Sequence, residues 1–169
     1  MVAQLNRHSV GVTINERSMR YVDFSNAVIK IPPTIEKNER AKEIFENAVK
    51  TCVGAYRDIQ VELEKDGLKG EMSNQDCRYI LPLGTETCGT YGFTIEALMH
   101  FTNKRLCTRS QWEIRELAKL MKQEVISVLP ELKEYLVPEC EHLLWCPEGK
   151  SSCGKYPTKE EVKEKLKGE

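Results

Sequence analysis

The 169-residue chain is predicted to adopt an α+β fold, mostly helical, with a small antiparallel sheet packed on long helices. Two long stretches, 38–66 and 110–128, repeat apolar residues every three or four positions, which is the period of a helix face. Two short stretches, 10–14 and 87–94, are rich in β-branched or aromatic residues around glycine, which is typical of strands. A chain of this length can bury a core of ordinary size.

The N-terminal half begins with little helix signal, and residues 10–14 and 22–31 are predicted as loop and short strand. Residues 38–66 then form the first long helix, closed by Gly67, because glycine accepts the left-handed conformation at a helix end. We expect its apolar stripe to be core. The stripe consists of Ala41, Ile44, Phe45, Ala48, Val49, Cys52, Tyr56, Ile59 and Leu63.

Two helices and a strand are predicted after the first long helix. Ser73 is predicted to cap a short helix that reaches Leu81 and is ended by Pro82. The stretch 87–94 follows as a strand, and 96–105 as a brief helix.

The second long helix is predicted to begin at Ser110, with Glu113 in the reciprocal capping position. Pro130 is expected to bend or interrupt it, because proline lacks the backbone donor that a helix interior needs. A charged helix is predicted to open at Thr158. The predicted buried face of the long helix is Trp112, Leu117, Leu120, Met121, Val125 and Val128.

Bulk composition excludes several classes of protein. Formal net charge is −1, and no basic stripe with interleaved aromatic residues is present, so a nucleic-acid binder is not expected. No apolar run could span a bilayer, and the first ten residues lack the apolar segment of a signal peptide. Seven cysteines without an export signal indicate reduced thiols in the cytoplasm.

Arginines cluster near the short motifs of the chain, at Arg7, Arg17 and Arg20, then at Arg78 and Arg105. The guanidinium group offers a planar fork that matches phosphate oxygens and stays charged when half-buried. Any one of them alone is better explained by surface solvation. As a group beside serine, glutamate and apolar positions, they indicate a nucleotide site.

Three blocks in order resemble the flavin-dependent thymidylate synthases. The first block is Gln4-Leu5-Asn6-Arg7-His8-Ser9 with Asn15-Glu16-Arg17-Ser18-Met19-Arg20-Tyr21, similar to that family's Arg-His-Arg…Ser signature. The second is Arg78-Tyr79-Ile80-Leu81-Pro82. The third runs from Leu98-Met99-His100-Phe101 through Arg105 to Ser110-Gln111-Trp112-Glu113-Ile114-Arg115.

The resemblance implies reductive methylation of dUMP to dTMP, a methyltransferase step of nucleotide biosynthesis. It implies FAD as cofactor, with NADPH and methylene-tetrahydrofolate as co-substrates, and a homotetramer. Arg105 would be the catalytic residue, polarising the uracil ring. The implied dUMP contacts are Gln4, Arg7, Glu16, Ser18, Arg20, Arg78 and Arg105. The implied FAD contacts are Arg7, His8, Ser9, Glu16, Thr94, Glu96 and His100.

The chain departs from the family pattern at Ser9, which replaces the second arginine of Arg-His-Arg, and at Thr94, where asparagine is expected. It also starts almost at the signature. We therefore expect residues 1–137 to form a nucleotide- and flavin-binding domain that lacks the family's N-terminal segment, with a separate N-terminal fragment as a candidate partner. Residues 138–169 would form a cysteine-containing loop and a charged helix. The alternative is a non-catalytic dUMP-binding or assembly module.

Two cysteine hypotheses stay open beside this one. A loop containing Cys140, His142, Cys146 and Cys153 could hold zinc, although it lacks a C-x-x-C pair, and structural thiols without metal are the better expectation. Cys88 and Cys107 flank the predicted site, and either could be a nucleophile, but only arginines are nearby to lower a thiol pKa.

Overall fold

The computed structural model describes residues 1–167, and it is 57% helical with a two-stranded antiparallel sheet. This confirms the predicted α+β class. The α-helices within the described chain are α1 (Val2–Leu5), α2 (Pro33–Glu36), α3 (Glu39–Lys65), α4 (Glu71–Cys77), α5 (Ile95–Arg105), α6 (Trp112–Val128), α7 (Glu139–Leu143) and α8 (Lys159–Lys167). The strands are β1 (Val12–Glu16) and β2 (Gly89–Phe93), and short 3-10 helices lie at Arg78–Ile80, Pro130–Glu134 and Gly149–Ser151.

The chain folds as two compact units. The first unit consists of Met1–Ile14 together with the described chain from Tyr91, and the second consists of Asn15–Thr90. The predicted division at residue 137 stays a prediction. Within residues 1–167, no helix combines the length and the apolar character needed to cross a membrane.

The core of the first unit lies between α5 and α6. Phe101 from α5, Ile114 from α6 and Leu136 are completely buried, and Leu5 from α1 packs with them. Burying side chains of this size stabilises the fold by about 1.5–3 kcal/mol each. The predicted helix at 96–105 is confirmed, and so is the break at Pro130, where the helix gives way to a 3-10 turn.

The start and the buried face of α6 differ from the prediction. Ser110 does not cap the helix, because its hydroxyl donates to the Lys104 carbonyl at 3.1 Å, and Gln111 occupies the cap position. Leu120 and Val128 are 52% and 77% exposed, so they lie outside the buried face. The face that packs on the core is Ile114, Leu117, Ala118, Met121 and Val125.

The second unit is organised around α3, and the prediction for this helix is confirmed at both ends. The Asn38 side chain accepts a hydrogen bond from the Ala41 amide at 3.0 Å, and Gly67 follows the last turn with φ +83°. The Tyr56 ring is completely buried with Phe24 and Cys77. The Tyr56 hydroxyl accepts a hydrogen bond from the Phe24 amide at 3.2 Å.

The apolar stripe of α3 is less buried than predicted. Tyr56 is buried as expected, but Ile44 and Ile59 are 57% and 40% exposed. Val53, which the predicted stripe omits, is buried. The helix therefore carries apolar side chains on two faces, and only one of these packs on the core of the second unit.

Two further predictions in the second unit have different outcomes. Residues 22–31, predicted as loop and short strand, are loop with an isolated bridge at Ile29, because the Asp23 carboxylate accepts hydrogen bonds from the Ser25 amide and hydroxyl at 2.9 and 2.7 Å and turns the backbone. Ser73 does not cap α4. It lies buried inside that helix, and Gly70 holds the cap position with φ +58°. The predicted strand at 87–94 is confirmed as β2.

Candidate functional site

A cavity of about 610 Å³ opens in the first unit between the loop after α1 and one face of α5. Its volume falls within the range of about 300–1,000 Å³ that small-molecule and cofactor sites occupy. The residues of the predicted flavin set that line it are Arg7, His8, Ser9, Thr94, Glu96 and His100. Lys104 and Arg105 line it as well.

Helix α5 presents four polar side chains to this cavity. Glu96, His100 and Lys104 are spaced four residues apart, so they lie in one row along the helix, and Arg105 follows Lys104. Phe101, next to His100, is buried in the core. The Thr94 hydroxyl begins the helix by accepting a hydrogen bond from the Ala97 amide at 3.2 Å. Packing of the apolar face therefore fixes the orientation of the polar one.

The wall opposite the start of α5 is formed by Gly11, which has φ +69°. Its carbonyl accepts a hydrogen bond from the Thr94 amide at 2.9 Å. A Cβ atom at this position would lie 2.6 Å from the Thr94 hydroxyl oxygen, so no larger residue fits without displacing Thr94. Only glycine combines this backbone conformation with so close an approach.

Arg105 is held at the cavity by two hydrogen bonds from its guanidinium group. Its Nε donates to Nε2 of His8 at 2.9 Å, and its Nη2 donates to the Gln4 carbonyl at 3.0 Å. The His8 ring also packs edge-on against Phe101, with ring centroids 5.1 Å apart. The Arg105 fork is thus oriented by the loop that carries the Arg7-His8 pair.

His8 is held in its neutral form. Burial, reinforced by the positive charge of Arg105, lowers the pKa of His8 from 6.5 to about 4. Because Nε2 accepts from Arg105, the ring proton of the neutral tautomer is assigned to Nδ1. Burial and the nearby Arg7 also lower the pKa of Arg105, although an arginine still remains protonated at neutral pH.

The remaining predicted substrate residues belong to the second unit. Glu16 ends β1, and the Ser18 hydroxyl accepts a hydrogen bond from the Arg20 amide at 3.2 Å. Arg20 makes a long contact of 3.4 Å to Glu71, and its buried Nε has no hydrogen-bond partner among residues 1–167. Arg78 is exposed, and its Nε donates to the Gln75 carbonyl at 3.2 Å.

Four lining residues were missed by the sequence analysis, which are Val10, Gly11, Ala97 and Lys104. Lys104 lies one helical turn after His100, so the helix spacing of the third block could have identified it. Gly11 was noted only as part of a β-branched run, and its positive φ could not be read from that pattern.

The cysteine hypotheses have different outcomes. Among residues 1–167, no three His, Cys, Asp or Glu side chains are arranged to hold a metal ion. His142 is directed elsewhere, since its Nε2 lies 3.0 Å from the Tyr135 carbonyl. Cys88 is exposed in the second unit, and Cys107 lines a separate cavity of the first unit. A nucleophilic role for either cysteine stays a prediction.

Comparison with known proteins gives a consistent result. A sequence model of the family described as thymidylate synthase complementing protein matches residues 1–131. A flavin-dependent thymidylate synthase from Nitratidesulfovibrio vulgaris is 39% identical over 160 residues, covering 94% of this chain. Proteins of the same name from Clostridium tetani and Geobacter sulfurreducens are 38% and 36% identical, each over 90% of this chain.

The chain is shorter than these relatives. The matched segments span 65%, 64% and 62% of the N. vulgaris, C. tetani and G. sulfurreducens proteins. The family match nevertheless includes β1, β2, α5 and α6, and with them every residue that lines the 610 Å³ cavity. The chain belongs to the thymidylate synthase complementing protein family.

Proposed function

We propose that the protein acts as a flavin-dependent thymidylate synthase, which methylates dUMP to dTMP. Methylene-tetrahydrofolate would supply the carbon, and NADPH would supply reducing equivalents through FAD. The observation that carries the proposal is the 610 Å³ cavity, where six of the seven residues implied for flavin, all except Glu16, line one space with Arg105, the residue implied for catalysis. Three cationic side chains, Arg7, Lys104 and Arg105, and one carboxylate, Glu96, line it, a balance that suits an anionic ligand.

The cavity fits a flavin in both size and chemistry. Its residues offer a hydroxyl at Ser9 and at Thr94, a carboxylate at Glu96 and an imidazole at His100, which match a ring edge bearing N–H and C=O groups. Gly11 leaves the wall without a side chain, so a ligand can approach the backbone closely. When bound, the flavin would supply the redox and carbon-transfer chemistry, and the protein would position and polarise the reactants.

We propose that His8 orients the Arg105 side chain and does not transfer protons. With a pKa of about 4 it is uncharged at neutral pH, and Arg105 already occupies its acceptor nitrogen. Its Nδ1–H remains available as a donor to a bound ligand. Because the His8 imidazole is neutral, the positive charge stays on the guanidinium groups of Arg7 and Arg105, which are the groups proposed to contact the uracil ring and the phosphate.

We propose as dUMP contacts the residues that the family resemblance implies, which are Gln4, Arg7, Glu16, Ser18, Arg20, Arg78 and Arg105. The buried Nε of Arg20 has no acceptor within the described residues 1–167, and this supports a role in holding phosphate, because a buried donor without an acceptor is costly unless a ligand supplies one. The contact with Glu71 at 3.4 Å is made by Nη2 of Arg20 and not by Nε.

Arg105 is proposed to polarise the uracil ring. A fixed cation at the ring edge favours loss of the ring N–H proton and raises the electron density at the carbon that is alkylated. The hydrogen bonds to His8 and to the Gln4 carbonyl hold the guanidinium group in place before substrate arrives. An oriented charge of this kind needs no rearrangement during the reaction.

A homotetramer in the cytoplasm is also proposed. The exposed apolar residues Ile44 and Ile59 on α3 support self-association, because exposed apolar side chains are stabilised by burial against a partner. All seven cysteines are free thiols, which is the state that the cytoplasm maintains.

The test uses the purified full chain. We expect a flavin absorbance spectrum, saturable binding of dUMP, and formation of dTMP when methylene-tetrahydrofolate and NADPH are added. Arg105→Ala should lower turnover by on the order of 10²–10³, which is the usual cost of removing one fixed electrostatic group. Arg40→Ala is the matched control, since Arg40 is an exposed arginine that pairs with Glu43 of the same helix.

The outcomes separate the hypotheses. Binding of dUMP without flavin would favour the non-catalytic module over the enzyme. Binding of neither ligand would refute both. Equal turnover in the Arg105→Ala and Arg40→Ala variants would remove Arg105 from the mechanism and leave the family assignment standing.

A further inference from the structure

One ion pair joins the linings of two cavities in the first unit. Lys104 lines the 610 Å³ cavity, and its Nζ atom contacts the Glu139 carboxylate at 2.5 Å. Glu139 belongs to the first turn of α7 and lines a second cavity, of about 120 Å³. The ion pair therefore connects α7 to a side chain of the candidate site.

Neither residue of this pair has a role that the family implies. The family match ends at residue 131, before α7 begins, so Glu139 lies outside it. Lys104 lies within the match but belongs to neither the implied dUMP contacts nor the implied FAD contacts. The pair therefore adds to the site that the family resemblance describes.

The backbone of Lys104 is fixed, whereas its side chain can move. The Lys104 carbonyl accepts a hydrogen bond from the Ser110 hydroxyl at 3.1 Å, and the preceding residues Phe101 and Thr102 of α5 are completely buried. The Lys104 side chain is 47% exposed and that of Glu139 is 34% exposed. A lysine side chain has several rotatable bonds, so an unpaired ammonium group would sample many positions. The contact with Glu139 restricts the ammonium group to positions near the first turn of α7.

Lys104 differs from Arg105 in how its charge is held. The Arg105 guanidinium group donates to His8 and to the Gln4 carbonyl, and these two hydrogen bonds fix its orientation. An ammonium group is a compact point charge with rotatable donors, so it can exchange one oxygen partner for another. A phosphate oxygen is such a partner, and Arg7 and Arg105 on the same cavity favour an anion there.

We propose that Lys104 contacts a phosphate group of the ligand that occupies the 610 Å³ cavity, and that Glu139 is the positioning residue of Lys104. This inference rests on the proposed function, because FAD is the phosphate-bearing ligand expected in that cavity. In the unbound protein Glu139 holds the ammonium group near the cavity. In the complex the phosphate replaces that contact, so the carboxylate and the phosphate compete for one cation. Glu139 thereby sets the affinity of the cavity for phosphate.

The first experiment uses inorganic pyrophosphate as a probe of the purified full chain, because it carries the charge of a diphosphate without a flavin. Calorimetry measures its affinity, and the NMR resonances of the His8 and His100 rings, which line the cavity, locate it. Lys104→Met should weaken binding about two- to five-fold, which is the effect of one half-exposed charge. Lys104→Arg keeps the charge and should restore most of the affinity. Urea unfolding verifies that each variant is folded.

Glu139→Gln should have the opposite effect, because it frees the ammonium group from the competing carboxylate. We expect pyrophosphate to bind about two- to five-fold more tightly. Glu141→Gln is the matched control and should leave the affinity unchanged, since Glu141 lies in the same helix and pairs at 2.5 Å with Lys155, which lines the smaller cavity. In the Lys104→Met background, Glu139→Gln should gain much less, because its effect passes through Lys104.

The second experiment compares FAD with riboflavin, which has the same ring system but no phosphate. Lys104→Met should weaken the binding of FAD and leave that of riboflavin unchanged. This comparison separates the present inference from the proposed function. Effects on pyrophosphate without any binding of flavin would refute FAD as the ligand and leave the phosphate contact standing.

Four results would overturn the inference. Two of them concern pyrophosphate, and these are no binding at the cavity and equal affinity for the unsubstituted chain and Lys104→Met. The third is an equal effect of Glu139→Gln and Glu141→Gln, which would remove Glu139 as a positioning residue. The fourth is an equal loss of FAD and riboflavin binding in Lys104→Met, because Lys104 would then contact the flavin ring and not a phosphate.

Discussion

Protonation of His8 should destabilise the first unit, and the reason lies in its hydrogen bond with Arg105. The Nε2 atom of His8 accepts from Arg105 at 2.9 Å, so a proton on this nitrogen would remove the acceptor and place two positive charges together. The folded state therefore resists protonation, and the pKa of His8 falls from 6.5 to about 4. Stability should depend on pH across this interval.

The sign and the size of this pH dependence follow from the linkage between folding and proton binding. The unfolded chain binds a proton at His8 near pH 6.5, whereas the folded chain binds it only near pH 4. The contribution of His8 to stability is therefore fully present above 6.5 and is lost as the pH falls toward 4. The whole shift corresponds to about 3.4 kcal/mol, and because His8 is only half-buried, solvent screening reduces the expected loss to about 1–2 kcal/mol.

Urea unfolding of the full chain at pH values spanning 6.5 and 4 measures this loss. The His8→Asn variant keeps an acceptor for Arg105 but cannot titrate, so its stability should fall less over the same interval. His142→Asn is the matched control, because His142 is exposed and lies 3.0 Å from a backbone carbonyl. The same pH dependence in His8→Asn and in the unsubstituted chain would refute the reasoning, as would an NMR titration that gives His8 an ordinary pKa.

Two further substitutions test the packing of each unit by chemical denaturation. Tyr56→Phe should cost about 1–3 kcal/mol, because it leaves the buried Phe24 amide without its acceptor, and an unchanged free energy of unfolding would count against that bond. Gly11→Ala should cost about 1–3 kcal/mol, since the added methyl group meets the Thr94 hydroxyl at 2.6 Å. Gly67→Ala, at φ +83° but with open space around it, should cost only about 1 kcal/mol of backbone strain, so equal losses would argue against a clash at Gly11.

The regular helices could be predicted because their signals are local. Apolar periodicity located α3 to within one residue at each end. Asn38 begins the helix by a hydrogen bond from the nearby Ala41 amide, and Gly67 ends it by its own left-handed backbone conformation. The capping predictions failed where a side chain had another partner. Ser110 donates to the Lys104 carbonyl, and Ser73 is buried inside α4, so in both cases tertiary packing decided against the local motif.

Residues 22–31, predicted as loop and short strand, are loop for a related reason. A β-branched run favours a strand only if a neighbouring strand can pair with it, and here a single bridge joins Ile29 to Thr85. Asp23 satisfies the Ser25 amide with its own carboxylate, so a turn replaces the extended backbone. The Asp-x-Ser spacing was visible in the sequence, but its advantage depends on burial of Phe24 against Tyr56.

The candidate site was predictable in its residue types but not in its charge balance. Ser9 replaces the arginine that the resembled signature has after Arg7-His8, and from sequence this indicated a lost cation. In the folded chain Lys104 lines the same cavity, one turn beyond His100, so a cation is present there from a different element. Because Glu139 pairs with Lys104 at 2.5 Å, this charge is partly neutralised, and Arg7 and Arg105 remain the principal cations for an anionic ligand. The effect of Ser9 therefore depends on where the Lys104 side chain lies, and the packing of α5 determines that position.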